Sequence, residues 1–171
     1  MIHIYCGDGK GKTTAAVGLA VRAAGSGMPV HFVQFLKGAD TSELHSLARI
    51  PEITVLRCDR DYGFSFRMNE AQKAQITACH NAMLHEAAER LAAGSTRLLV
   101  LDELFAAYRL ELLDRSLAEA LVRDFPETCE LVLTGRDPAD VFLEAADYIS
   151  EIRAVRHPYS RGIPARRGIE Y

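Results

Sequence analysis

One nine-residue stretch constrains this chain more than any other: Cys6-Gly7-Asp8-Gly9-Lys10-Gly11-Lys12-Thr13-Thr14. An alternating apolar run, Ile2 to Tyr5, precedes it. Ala15, Ala16, Val17, Leu19, Ala20 and Val21 follow and read as a helix. Strand, glycine-rich turn, Lys-Thr and helix in that order spell the phosphate-binding loop GxxxxGK[ST], with cysteine where its first glycine belongs. The chemistry explains the spelling. A triphosphate needs many donors at short range. Gly7, Gly9 and Gly11 let successive N–H groups curl inward as an anion nest, and the helix brings its positive end to the same point. Lys12 adds a mobile charge, and the Thr13 hydroxyl is placed to bind a Mg²⁺ carried by the phosphates. A Gly/Lys-rich hairpin turn is the bland rival, and the strand–helix context argues against it.

The rest of the chain alternates between strand and helix. The first helix is expected over Thr13 to Ala24, closed by Gly25 or Gly27. Strands are expected over Val30–Leu36, Ile53–Cys58, Leu98–Leu101, Glu130–Thr134 and Tyr148–Ile152. A short helix spans Ser42 to Ala48. Asn69 caps a long one that Gly94 stops, Asp114 or Ser116 opens another, and Asp137-Pro138 reads as a cap with proline at the first helical position. The expected fold is α/β: three layers, with a mainly parallel sheet covered by helices on both faces. Ligands of such sheets sit outside the carboxyl ends of the strands. That rule gathers the phosphate loop, Lys37-Gly38, Asp59 to Arg67, Asp102-Glu103 and Gly135-Arg136 along one rim.

Leu99-Val100-Leu101-Asp102-Glu103 is the second signal. Apolar residues ending in an acid form the Walker B pattern, which assists the Mg²⁺. In hydrolysing ATPases an adjacent Glu can activate water. From these residues alone the chain reads as an ATP-dependent enzyme, against the plainer reading of a strand that ends in solvated acids. Spacing does not decide whether Asp102 or Glu103 meets the metal.

Composition narrows the classes. The length of 171 residues suggests one domain over 1–171, and 49% apolar residues suffice for its core. No apolar run approaches the ~18 residues of a membrane span, and Met1 leads straight into the first strand without a signal peptide. A cytoplasmic protein is expected. A net charge of -3 gives no push toward nucleic acid or anionic membrane. Cys6, Cys58, Cys79 and Cys129 show no C-x-x-C spacing, so free thiols are expected rather than a disulfide framework or zinc site. His80 and His85 on the long helix read as surface or satisfied residues.

At this point nearly the full length resembles the ATP:cob(I)alamin type of corrinoid adenosyltransferase, which works in cobalamin biosynthesis and salvage. Gly7 through Ala16 is similar to the family's loop, which usually has Asn at Asp8. Val33-Gln34-Phe35-Leu36-Lys37-Gly38, Gly63-Phe64-Ser65-Phe66, Leu101-Asp102-Glu103-Leu104, Thr134-Gly135-Arg136 and the ending His157-Pro158-Tyr159 to Arg167-Gly168-Ile169-Glu170-Tyr171 also match. Many members carry an extension ahead of the first strand, where this sequence starts; it departs from the family in Asp8, which sets a negative charge beside the phosphates, in Phe66 where Trp is common, and in Phe105 where a small polar residue is usual.

The resemblance implies a reaction. Co(I) of a reduced corrinoid attacks the 5′ carbon of ATP, adenosylcorrinoid forms, and triphosphate leaves intact. The cobalt is the nucleophile, so the protein positions and stabilises charge. It implies that Gly7, Asp8, Gly9, Lys10, Gly11, Lys12, Thr13 and Thr14 hold a reversed ATP with Arg136. It implies that Thr13 and Glu103, with Asp102 as the other candidate, attend Mg²⁺ or Mn²⁺, and that Lys12, Thr13 and Glu103 carry catalysis. Phe64 and Phe66 would face the corrin and displace its lower axial base, which eases reduction to Co(I); packing as core is their bland alternative. Partners implied are ATP, cob(I)alamin or another corrinoid, an electron-donating reductase of the flavoprotein type, and a second copy in a homodimer. The basic tail (Arg153, Arg156, Arg161, Arg166, Arg167) has three readings, a solvated segment, a nucleic-acid contact or a flap over the anionic site; the net charge disfavours nucleic acid, and the resemblance favours the flap. Two rivals stand beside this: an ordinary phosphate-loop ATPase or small-molecule kinase, and a nucleotide-gated corrinoid carrier without turnover.

Overall fold

A computed structural model describes residues 1–38, 40–58, 60, 63 and 67–170. Among these, six strands form one sheet: β1 (Ile2–Cys6), β2 (Val30–Gln34), β3 (Ile53–Arg57), β4 (Leu98–Asp102), β5 (Glu130–Thr134) and β6 (Tyr148–Glu151). Their order is β3-β2-β4-β5-β1-β6, and every pairing is parallel. Six helices surround it: α1 (Lys12–Gly25), α2 (Ser42–Leu47), α3 (Glu70–Ala92), α4 (Leu104–Arg109), α5 (Arg115–Arg123) and α6 (Asp140–Ala145).

The period-two geometry of a strand sorts the core into two layers. Ile4, Val33, Leu99, Leu101, Leu131 and Leu133 pack with Met83 and Leu84 of α3, Leu104 of α4 and Leu121 of α5. Val30, Phe32, Leu98, Val100 and Val132 pack with Ala16, Ala20 and Ala23 of α1 and Leu47 of α2. Central β2 and β4 are buried along their whole length, which is why they read as mostly apolar runs rather than alternating ones. Register then aligns the carboxyl ends: Gln34 lies beside Asp102, and Tyr5 beside Thr134.

The local signals were informative at both ends of α3 and at the start of α5. Asn69 forms a capping box with Gln72, and Asp114 rather than Ser116 caps α5 through Leu117 N–H. Gly94 follows α3 with a φ of 67°. Three expectations need correction, and one helix lies outside them. The second strand stops at Gln34 because Leu36 turns to a φ of 61°. Asp137 does not cap a helix; it adopts a left-handed backbone, pairs with Arg109, and α6 starts after Ala139. The short α4 follows the acidic pair directly and was not anticipated. Cys58, just past β3, and Cys79, on α3, are joined by a disulfide with Cα atoms 6.2 Å apart, while Cys6 and Cys129 are free and buried. The fold brings that pair together across 21 positions of sequence, a contact that spacing along the chain does not encode. No helix among the described residues is long and apolar enough to cross a membrane.

Candidate active site

The phosphate loop leaves the carboxyl end of β1 and turns into α1. Gly7 has a φ of 104°, and a Cβ there would lie 2.4 Å from the Ile152 carbonyl oxygen. A Cβ on Gly9 would lie 2.8 Å from the same atom. The chain beyond β6 therefore runs against the loop, and the Gly9 N–H donates to Ile152 O at 2.8 Å. Two glycines are required here by close backbone approach as well as by phosphate chemistry. Lys12 is 8% exposed, and its ammonium donates to Gly7 O at 2.8 Å and Gly9 O at 2.9 Å. Burial pushes its pKa down, with Glu103 opposing and Arg136 reinforcing the shift.

Asp102 is the hub beneath the loop. Its side chain is fully buried, and it ends β4 between β2 and β5. One oxygen, Oδ1, accepts the Thr13 hydroxyl at 2.9 Å and the Thr134 hydroxyl at 2.7 Å. The other, Oδ2, accepts Lys37 Nζ at 2.9 Å and Gln34 Nε2 at 3.3 Å. Thr134 Oγ1 in turn accepts the Glu103 N–H at 2.9 Å. Glu103 itself holds a left-handed backbone, φ 60° and ψ 24°. A non-glycine residue in that region signals local strain, which clusters at functional sites. Its carboxylate faces the cleft and makes no hydrogen bond or ion pair with the described residues. Burial first, and the Asp102 charge second, lift its pKa above the usual range, against the pull of Lys37, Lys12 and Arg136. Thr13, Asp102 and Glu103 are thus the oxygen donors able to hold a hard cation.

Loop, acids and tail enclose a cleft of about 680 Å³. Asp8, Lys10, Thr14 and Arg136 line it, as do Lys37, Glu43 of α2 and His157 and Glu170 of the tail. Asp8 has a second engagement that its sequence reading did not include. Its Oδ1 accepts the Ala154 N–H at 3.0 Å, and this bond is the main cause that lowers its pKa. The carboxylate ties the tail to the loop. Arg136 donates to Asp8 O at 3.4 Å. Behind it, a Cβ on Gly135 would lie 2.9 Å from Phe105 Cβ, so the buried Phe105 ring accounts for glycine at that position. Part of the basic tail is neutralised internally: Glu170 accepts Arg166, which pulls the Glu170 pKa down to about 2. Phe64 and Phe66 lie outside the described residues.

The structure brings Lys12, Thr13, Asp102, Glu103 and Arg136 to one rim, as the sequence implies. Sequence reasoning missed Gln34 and Thr134 as partners of Asp102, and it placed Lys37 on the rim without a role. Gln34 carried a legible signal, being a polar residue inside a run otherwise apolar from Phe32 to Leu36. His80 is buried and satisfied. Its Nδ1–H donates to Leu112 O at 2.7 Å, so Nε2 is the acceptor of the Leu36 N–H at 3.3 Å. That bond holds the turn from which Lys37 projects. His85 is exposed.

The sequence profile of the family described as ATP:corrinoid adenosyltransferase BtuR/CobO/CobP matches residues 1–171. A corrinoid adenosyltransferase of Pseudomonas aeruginosa is 38% identical over 175 residues, spanning 100% of this chain and 83% of that protein. The corrinoid adenosyltransferase CobA of Salmonella typhimurium is 34% identical over 179 residues, spanning 100% and 85%. One from Escherichia coli is 32% identical over 171 residues, with the same coverage. Among solved structures, a KaiC-like protein from Pyrococcus horikoshii OT3 superposes with a TM-score of 0.56 at 14% identity, covering 91% of this chain and 72% of its own. That likeness concerns the fold alone.

Proposed function

Because the chain belongs to the ATP:corrinoid adenosyltransferase family, we propose that it moves the 5′-deoxyadenosyl group of ATP to Co(I) of a reduced corrinoid. The cobalt–carbon bond forms as the bond from C5′ to the triphosphate oxygen breaks, and both electrons of that bond leave with triphosphate. The observation that carries this reading is the cleft, where a closed phosphate loop, Lys12, Arg136 and an acidic hub converge. These groups suit a polyanionic leaving group: loop N–H groups and the Lys12 and Arg136 cations hold the charge that develops on it. Transfer predicts triphosphate in one-to-one ratio with adenosylcorrinoid. An anaerobic assay with ATP and reduced cobalamin, following the corrinoid spectrum and the phosphate product, tests it. ADP as the main product would promote the kinase reading, and tight binding of both substrates without a cobalt–carbon bond would promote the carrier.

Mg²⁺ fits the donors. A hydroxyl and two carboxylates are hard oxygen ligands, and no three His, Cys, Asp or Glu side chains converge into a cage among the described residues. Mg²⁺ is commonly held this way, by one or two carboxylates together with substrate phosphates. Bound there, it would supply positive charge to the leaving triphosphate. Thr13 and Glu103 would hold it, while Asp102, whose Oδ1 accepts the Thr13 hydroxyl, orients Thr13. Glu103→Gln is expected to raise the Mg²⁺ concentration needed for half-maximal rate several-fold without lowering the melting temperature. An unchanged metal titration assigns the direct role to Asp102.

Phe64 and Phe66 remain the proposed contacts to the lower corrin face. Replacing both by Ala should nearly abolish activity with Co(II) corrinoid and a biological reductant, yet leave much of the rate with chemically pre-reduced Co(I). Equal impairment with both, in a folded protein, would reject base displacement. Core packing predicts instead a loss of roughly 3–5 kcal/mol of stability per ring. The reading includes an electron-donating flavoprotein reductase, a cytoplasmic location and a homodimer, the last open to test by sedimentation equilibrium.

A further inference from the structure

Lys37 lies in none of the sequence motifs for metal or phosphate, yet its ammonium stands at the centre of the acidic hub. It is 2.9 Å from Asp102 Oδ2, 3.1 Å from Thr13 Oγ1 and 3.9 Å from Glu43 Oε1. Thr13 spends its hydroxyl hydrogen on Asp102, so the contact with Lys37 uses an oxygen lone pair of Thr13. That lone pair is what a divalent cation at a phosphate loop requires. Asp102 is fully buried, and a buried carboxylate needs a positive partner. Lys37 supplies it among the described residues.

We propose that Lys37 is a placeholder cation, holding the metal's seat in the free protein and yielding it when metal and triphosphate arrive. The inference rests on the metal seat proposed above. Two cations cannot share the Thr13–Asp102 pair at close range without strong repulsion. The geometry provides an exit. Glu43 is the second carboxylate beside Nζ, and Gln34 Nε2 bridges the two acids, at 3.3 Å from each. Lys37 can therefore pass from Asp102 to Glu43 by side-chain rotation alone. Its backbone stays in place, because Leu36 N–H is held by His80 and Lys37 N–H donates to Phe35 O at 2.8 Å. The consequence is ordered loading: metal alone competes with Lys37, whereas metal carried by the triphosphate displaces it.

Mn²⁺ binding read by electron paramagnetic resonance, beside melting temperature, tests this without any turnover. Wild-type protein should bind Mn²⁺ weakly alone and tightly with ATP. Lys37→Met should melt lower than wild type in chelator, recover with millimolar Mn²⁺, and bind Mn²⁺ alone at least about tenfold more tightly, a change of ~1.4 kcal/mol. Glu43→Gln leaves the partner of Asp102 in place and removes the exit. It should bind Mn²⁺ with ATP several-fold more weakly than wild type, and it keeps the proposal testable should Lys37→Met not fold. Wild-type Mn²⁺ affinity in both variants overturns the placeholder. So does loss of ATP binding in Lys37→Met with no gain for Mn²⁺, which would make Lys37 a phosphate ligand. Absence of Mn²⁺ binding by wild-type protein even with ATP would overturn the metal seat and the placeholder with it.

Discussion

Lys12→Ala will lower kcat/KM for adenosyl transfer by roughly a hundredfold or more. Removing one preorganised donor to developing charge costs about 3–4 kcal/mol, and Lys12 is a full positive charge held 8% exposed at the turn of the loop. Its ammonium now donates to the carbonyls of Gly7 and Gly9, so the loop is pre-closed around the place it would serve. Burial already lowers its pKa; a triphosphate would pull it back up by favouring the charged form. The same two hydrogen bonds make Lys12 a brace, so some stability should be lost as well. Melting temperature and rate separate the two roles: the variant should remain folded at assay temperature, with a loss of rate far beyond any unfolded fraction. Retention of more than about a tenth of the wild-type rate, a change of only ~1.4 kcal/mol, would contradict the assignment.

Gly7→Ala should be the most damaging single methyl group in the loop. The added Cβ would sit 2.4 Å from Ile152 O, against backbone rather than a side chain that could swing away, and at a φ of 104°. Strain in that region and forced overpacking each cost roughly 1–3 kcal/mol. Combined, they should lower the melting temperature by about 10 °C for a chain of this size and weaken ATP binding. Gly18→Ala is the internal control: it lies within α1, and nothing stands within 4 Å of a Cβ there. It should be neutral or stabilising by up to about 1 kcal/mol. A Gly7→Ala protein melting within ~2 °C of wild type would show that the segment beyond β6 yields easily and does not brace the loop.

The sequence by itself determined the alternation of strands and helices, the phosphate loop, the acid at the end of β4 and the cap Asn69, and it narrowed the cap of α5 to Asp114 or Ser116. Each of these rests on residues a few positions apart, where backbone geometry and spacing along the chain suffice. Only the tertiary structure decided what those residues touch. Parallel pairing set Gln34 beside Asp102 and Leu133, next to Thr134, beside Leu101, so a carboxylate that reads as a lone Walker acid became a saturated hub. Lys37 reaches it from 65 residues away. Asp8, at the lip of the cleft, also binds Ala154, 146 residues on. Cys58, just past β3, pairs with Cys79 of α3, 21 residues on. Such contacts depend on strand order and register, which arise from how the whole core packs, and no local period along the chain records them.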